Sequence, residues 1–169
     1  DIQFNDKTCW ILYRDGQEKG LMKFIYNDGW EYRDSYSNYP TISGDINCFT
    51  VSDSLIYLGM TNGLFSGKRT SNLKDPNSWT LEISSMIDDV TSMQLVNEKL
   101  YFTTNNKIFD YEILSKTISE DEFTYSLEEV DNILITPVGK WIIDQKNLYL
   151  KTELNDYLIT DKYLLSNFV

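Results

Sequence analysis

Apolar and polar positions recur along this chain in a fixed order. With Tyr57, Tyr101 and Trp141 set in one column, Val51, Leu95 and Ile135 stand six residues earlier, and Phe49, Met93 and Ile133 eight earlier. Ile46, Val90 and Val130 stand eleven earlier, each directly preceded by an acid: Asp45, Asp89 and Glu129. Downstream, Leu64, Ile108 and Leu148 follow the aromatic by seven positions and are succeeded by Phe65, Phe109 and Tyr149. The aromatic columns lie 44 and 40 residues apart. A fourth, less regular copy comes first, with Trp10 in the aromatic column, Phe4 six before it and Ile2 eight before it. Its second half fits if about four residues are inserted in the turn 15–20, after which Leu21 and Met22 resume the pattern.

Within each copy the apolar residues alternate with period two, the spacing of strands, and no stretch carries a helical period between breakers. A repeat of this length built from four short strands points to the blades of a β-propeller. The expectation is a single all-β domain, a β-propeller or propeller segment of four blades at about 1–40, 41–86, 87–126 and 127–169. In the third copy the strands are expected at 90–95, 100–104, 108–113 and 123–126. Asn97-Glu98 and Asn105-Asn106 are its turns, the second suited to positive φ. An aromatic is expected to open each outer strand: Trp30, Trp79, Phe123, and Tyr157 or Tyr163. The first copy lacks the start of its innermost strand. The apolar stretch 163–169 could complete it and close a ring, the usual cure for an open sheet edge; otherwise the chain is a portion of a larger ring.

The run Leu55-Ile56-Tyr57-Leu58-Gly59-Met60-Thr61-Asn62-Gly63-Leu64-Phe65 resembles the core of the two-component-regulator propeller repeat and its Asp-box relatives. Residues 100–109 form a second copy with Lys107 in place of the glycine, and 140–149 keep the apolar skeleton only. The resemblance covers most of the chain and implies an architecture, not an activity. Asp75-Pro76-Asn77-Ser78-Trp79 resembles a degraded Asp-box of sialidases. That chemistry grips a carboxylate with three converging arginines. Here Arg14, Arg33 and Arg69 are the only arginines, on a second strand, an outer strand and an outer loop, where they cannot converge. Hemopexin-like domains are similar in their acid–apolar pair a dozen residues before an aromatic. Their Gly-Tyr-Trp pattern and pinning cysteines are missing, so they serve as an analogy for blade number alone.

Composition narrows the chemistry. The chain has no His and, residue by residue, no Ala, but 12 Tyr, 8 Phe and 4 Trp, a balance that favours strands. Without His there is no Ser/His or Cys/His pair and no imidazole metal site. The net charge of −11 disfavours nucleic acid and anionic membrane surfaces as partners. No segment reads as a membrane insertion or a signal peptide, and a chain beginning at Asp1 reads as a processed product or part of a longer polypeptide. Cys9 and Cys48 are too few for a disulfide framework; buried free thiols are the favoured reading and a pair between adjacent blades the alternative.

Two groups of residues are candidates for binding. Asp45, Asp89 and Glu129 precede the innermost strands and would ring one mouth of a propeller. There they form either a cation or polar-partner ring or, as favoured, acceptors for backbone N–H groups that pin one blade to the next. The clusters Asp88-Asp89 and Glu128-Glu129 with Asp131 read as framework or solvated turns rather than paired catalytic carboxylates. Trp30, Tyr32, Tyr36 and Tyr39 crowd the link between the first two copies. They are either an adaptable binding loop or, as favoured, an outer strand and its packing.

The expected function is therefore non-catalytic, with no cofactor and no catalytic residue: a binding or scaffolding module, in a virion or outside the cell. Low Arg against Lys, abundant Asn and the aromatic loops point first to a viral (phage) structural or host-receptor-binding component, with protein subunits or a host-surface glycan as partner. An extracellular bacterial sensor or adhesion propeller is the alternative, and a carbohydrate-active enzyme is the third.

Overall fold

The structure is a computed structural model that describes residues 1–16, 18–40, 44–83 and 89–161, with side chains through residue 159. The tail 163–169, expected to close the first sheet, and Tyr163 and Asp88 with it, lie outside the described residues. The strands are β1 (Ile2–Asn5), β2 (Thr8–Asp15), β3 (Glu18–Tyr26), β4 (Trp30–Tyr36), β5 (Ile46–Val51), β6 (Leu55–Met60), β7 (Gly63–Lys68) and β8 (Trp79–Ile83). They continue as β9 (Ser92–Val96), β10 (Lys99–Thr103), β11 (Ile108–Glu112), β12 (Thr117–Glu120), β13 (Val130–Thr136), β14 (Gly139–Asp144), β15 (Asn147–Lys151) and β16 (Asp156–Asp161). One 3-10 turn, Pro76–Ser78, precedes β8, and no α-helix occurs among the described residues.

Consecutive strands pair antiparallel in four separate four-stranded sheets, β1–β4, β5–β8, β9–β12 and β13–β16. The chain divides into two compact units, Asp1–Asp89 and Val90–Val169, with two sheets in each.

The sequence columns become structural columns. In every sheet the aromatic sits on the second strand, opposite the residue seven before it: Trp10 pairs with Gln3, Tyr57 with Thr50, Tyr101 with Gln94 and Trp141 with Leu134. On its other side Tyr57 faces Ser66, Tyr101 faces Asp110 and Trp141 faces Leu150, each nine residues on, while Trp10 faces Lys23, thirteen on. The insertion expected in the first copy is thus a longer β2–β3 hairpin. It slides no residue to the wrong face, because four is an even number of strand positions.

Period-two alternation then assigns faces. In the first unit Trp10 and Leu21 of the first sheet share a core with Phe49, Ile56, Leu58, Phe65 and Trp79 of the second. In the second unit Ile108 of the third sheet shares a core with Val130, Ile133, Ile142 and Tyr149 of the fourth. Full burial of each such side chain stabilises by about 1.5–3 kcal/mol, which offsets the cost of ordering short strands. Gly63 opens β7 at φ +128°, where a Cβ would stand 2.4 Å from the Ile83 carbonyl oxygen. That close approach explains the glycine of the propeller-like run.

Two local expectations are corrected. The outer strand of the third sheet is Thr117–Glu120, not 123–126. It is wholly exposed and holds to β11 through backbone pairing, with the Glu120 carboxylate 2.8 Å from the Lys107 ammonium just ahead of β11. Phe123 lies beyond it, edge-on to Tyr149 at 5.5 Å, because the apolar fourth sheet offers an aromatic ring more contact than the edge of β11 does. Trp30 and Trp79 do open β4 and β8, and Tyr157 is the second residue of β16. The left-handed residues of the third sheet are Asn97 (φ 50°) and Glu98 (φ 63°), with Lys116 (φ 54°) in the β11–β12 turn, and not Asn105 and Asn106. In the second sheet Thr61-Asn62 form the β6–β7 turn, since Gly63 already pairs with Met60. Cys9 and Cys48 are both buried thiols, and burial pushes the pKa of each up.

Candidate functional site

The acids of the repeat meet different surroundings. Asp45, ahead of β5, makes an ion pair with Lys19 of β3 at 2.8 Å, and the hydrogen bond and charge of that ammonium hold its carboxyl below the usual range. Its backbone accepts the Thr61 N–H at 2.9 Å and donates to the Thr61 hydroxyl at 3.2 Å. Asp45 therefore joins neighbouring sheets through a lysine, where backbone N–H acceptance was the expectation. Glu129 accepts from the Gln145 side-chain amide at 2.5 Å, and its carbonyl accepts the Gln145 N–H at 3.1 Å. Asp89 Oδ1 is buried with no hydrogen-bond partner among the described residues. Among the described residues no three carboxylates or cysteines gather as a metal-binding group.

The four aromatics of the first link split in two. Tyr36 stacks on Trp10 with ring centroids 5.8 Å apart, and Tyr39 stands edge-on to Trp79 at 5.4 Å while donating its hydroxyl to the Tyr36 carbonyl at 2.7 Å. Burial raises the hydroxyl pKa of both. They are core. Trp30 and Tyr32 point the other way and are 49% and 58% exposed. Trp30 is the hub of an open aromatic cluster, 5.6 Å from Phe4 and 5.3 Å from Tyr26, with Phe24 edge-on to Tyr32 beside it. The register puts all of them on one sheet face, since Phe4, Cys9, Phe24 and Tyr32 are successive cross-strand partners.

Asp45 and Tyr39, assigned to separate groups in the sequence, line one cleft of about 280 Å³ with Glu18, Lys19 and Pro40. Its walls offer one carboxylate–ammonium pair and one tyrosine edge, a polar notch suited to a hydrogen-bonding side chain or sugar hydroxyls.

Several polar residues carry more of the architecture than the acid column. Arg69 donates to the Asn5 side chain at 2.6 Å, the Ser52 and Asp53 carbonyls at 2.9 and 3.0 Å, and the Thr8 hydroxyl at 3.0 Å. It clamps the first sheet to the second, and its guanidinium is committed to structure. In the second unit Lys140 bridges Asp110 at 2.7 Å and Asp121 at 2.5 Å, with its ammonium 4.9 Å from the centre of the Tyr101 ring. Lys99 reaches Asp110 at 3.1 Å and Lys151 reaches Asp121 at 3.3 Å. This alternating chain of half-buried charges borders an open cavity of about 620 Å³ lined by Tyr101, Ile135, Val138, Lys140, Lys151 and Leu154. Asp144, fully buried, accepts the N–H groups of Asn147 and Lys146 at 2.7 and 2.9 Å and the Tyr149 hydroxyl at 3.1 Å. Arg69 is read in the sequence only as one of three arginines, and Lys99, Asp110, Asp121, Lys140, Asp144 and Lys151 do not stand out in it. Gln3 and Gln94 share a column and would have been the readable pair, but Thr50 and Leu134 occupy that column in the other copies.

No family model and no curated protein sequence matches the chain. Solved structures do. The extracellular domain of a hybrid two-component system from B. thetaiotaomicron superposes with a TM-score of 0.70 at 15% identity, covering 95% of this chain and 21% of that one. PorZ, a bacterial surface component of the type-IX secretion system of Porphyromonas gingivalis, superposes at 0.62 and 15% identity, covering 94% of this chain and 20% of that one. The Pan2 WD40 domain of Neurospora crassa superposes at 0.64 and 13% identity, covering 95% and 48%. The chain spans about a fifth of the length of the first two. Likeness at such identity is one of fold. The four sheets are blades: this is an all-β propeller or propeller segment.

Proposed function

We propose that the chain is a non-catalytic binding and scaffolding propeller module displayed outside the cell, and that its contact surface is the open aromatic face of the first blade. The observation that carries this reading is the cluster of Phe4, Tyr26, Trp30 and Tyr32, all between 44% and 67% exposed. Rigid, amphipathic rings of this kind supply contact area at low entropic cost, and a patch of them on a soluble fold marks an interaction site. The half-buried charged groups of the blades are meanwhile tied into pairs and clamps. The bacterial extracellular reading gains from the fold neighbours, which include the extracellular domain of a bacterial two-component system and a bacterial surface component. The virion reading rests on composition alone.

The test is a glycan array and a protein-binding screen run beside an activity screen on glycosides and esters. Binding without turnover is expected, weakened at least tenfold by Trp30→Ala with Tyr32→Ala. Turnover of any substrate overturns the non-catalytic reading, and binding untouched by the double substitution overturns the assignment of the surface.

A further inference from the structure

The second unit holds a groove between its two blades. Two hairpin tips stand side by side at one edge of the fourth blade: the β13–β14 turn, with Pro137 and Val138, and the β15–β16 turn, with Glu153 and Leu154. Gly139 brings them together. It opens β14 at φ +148°, and a Cβ there would run into the Lys151 carbonyl oxygen, so β14 and β15 approach closely at this end. Tyr101 of the third blade forms the facing wall, and the space enclosed is the open cavity of about 620 Å³. A second hollow of about 360 Å³, bordered by Glu122 and Thr124, shares Lys151, Glu153 and Leu154 with it. The two make one groove that passes on both sides of the β15–β16 turn, and all its walls belong to one unit.

Its walls are apolar where they are most exposed. Val138 is 63% and Leu154 89% exposed, at the tips of their turns, while Tyr101 and Ile135 line the interior. The charged floor is already matched. Lys140 and Lys151 face each other across β14 and β15, a like-charge pair that would repel. Asp121 lies between the two ammoniums, at 2.5 and 3.3 Å. Asp110 takes the other side of Lys140 at 2.7 Å, and Asp156 meets Lys151 at 3.5 Å. Neither ammonium is left to draw an anion. Glu122 and Glu153 differ: both are exposed, and among the described residues their carboxylates have no partner.

We propose that this groove binds a basic, apolar segment of a partner protein. An aliphatic side chain sits between Val138, Leu154 and Tyr101, and a lysine or arginine beside it pairs with Glu122 or Glu153. The cavity falls in the size range of ligand sites, about 300–1,000 Å³, and shares their make-up of apolar walls with few polar groups. Charge decides the occupant. An acidic or phosphorylated segment would meet the unpaired carboxylates, whereas a basic one complements them. A sugar would need free hydroxyls on the walls, and those of Thr136 and Thr152 already donate to the Gly139 and Asn155 carbonyls, each at 3.0 Å. The chain's net charge of −11 adds a long-range attraction for a basic partner. This site goes beyond the aromatic surface of the first blade, and neither needs the other.

The experiment is an NMR titration of the nitrogen-15-labelled chain with the peptide acetyl-Lys-Leu-Lys-amide. Acetyl-Glu-Leu-Glu-amide, acetyl-Lys-Ser-Lys-amide and maltohexaose are run beside it. Saturable shifts of the Val138, Gly139 and Leu154 amides are expected with the first peptide and not with the other three probes. Leu154→Ser, at an exposed turn position, should weaken binding about tenfold. Glu122→Gln with Glu153→Gln should weaken it about fivefold, and added salt should act in the same direction. Signals unchanged elsewhere in the spectrum show that each variant keeps its fold. No saturable shift of these amides up to about 10 mM peptide overturns the proposal. Equal binding of the acidic peptide, the serine peptide or the sugar overturns it too, as does affinity untouched by Leu154→Ser or by the paired glutamines.

Discussion

The side-chain oxygen of Gln94 accepts the backbone N–H of Ile135 at 2.6 Å, tying the third blade to the fourth. Gln3 does the same for Val51 in the first unit, while also accepting from the Thr50 hydroxyl at 3.0 Å and donating to the Phe49 carbonyl at 2.9 Å. Both glutamines occupy one repeat column, so the pin belongs to the repeat and recurs in both units.

Replacing Gln94 with Leu copies the residue that stands at the same place in the fourth blade. The strand should therefore tolerate it, but the Ile135 N–H loses its acceptor. A destabilisation of about 1–3 kcal/mol is expected, read as a lower urea midpoint at unchanged slope. No change in midpoint would show that water replaces the glutamine without loss.

Arg69 should resist conservative exchange. Its planar fork serves four acceptors on two blades, and a lysine offers one rotatable ammonium in their place. Arg69→Lys is expected to cost about 1–3 kcal/mol, on the scale of orphaned partly buried acceptors. Equal thermal stability of Arg69→Lys and wild type would mean that charge alone suffices.

Asp144 gives the second unit an acid limit. Burial pushes its carboxyl up, but the N–H groups of Lys146, Asn147 and Glu128 and the Tyr149 hydroxyl outweigh burial and hold it below the usual range. A depressed carboxyl contributes stability in full above its unfolded value of about 3.9 and loses it as pH falls through the folded value. Stability should therefore drop below about pH 4, and Asp144→Asn should lower stability at neutral pH while flattening that drop. An acid transition identical in the variant would place its cause elsewhere.

The β9–β10 turn carries removable strain. Asn97 and Glu98 both sit at positive φ, 50° and 63°, the geometry of a two-residue hairpin whose second place favours glycine. Glu98→Gly should stabilise by about 1 kcal/mol, since a left-handed non-glycine residue costs roughly that much. Calorimetry would register it as a higher Tm, and a lower Tm would show that the side chain repays its strain.

Much of the fold was legible because strand alternation is strict. A side chain two positions away returns to the same face, so a column of Trp10, Tyr57, Tyr101 and Trp141 in the chain has to become a column in space. The inserted hairpin of the first copy was legible for the same reason. The candidate surface was half legible. Trp30, Tyr32, Tyr36 and Tyr39 look alike in a string; the register of β3 with β4 and its shift at Lys23/Phe24 turn Trp30 and Tyr32 to one face and Tyr36 to the other, and contact with Trp79 places Tyr39 beyond the strand. The outer strand of the third blade was misplaced because an exposed edge strand needs no apolar residue, whereas Phe123 looked like one that did.

By itself the sequence determined that strands dominate, that they come in four repeats, and which residues of each repeat share a face, since all of this follows from local spacing. Tertiary structure decided what those faces meet. Whether Asp45 finds Lys19, whether Arg69 reaches back more than sixty residues to Asn5 and Thr8, and whether Phe4 stays open to solvent depend on contacts between segments far apart in the chain. Side-chain period carries no information about those distances, because it fixes orientation within a strand and leaves the neighbour unspecified.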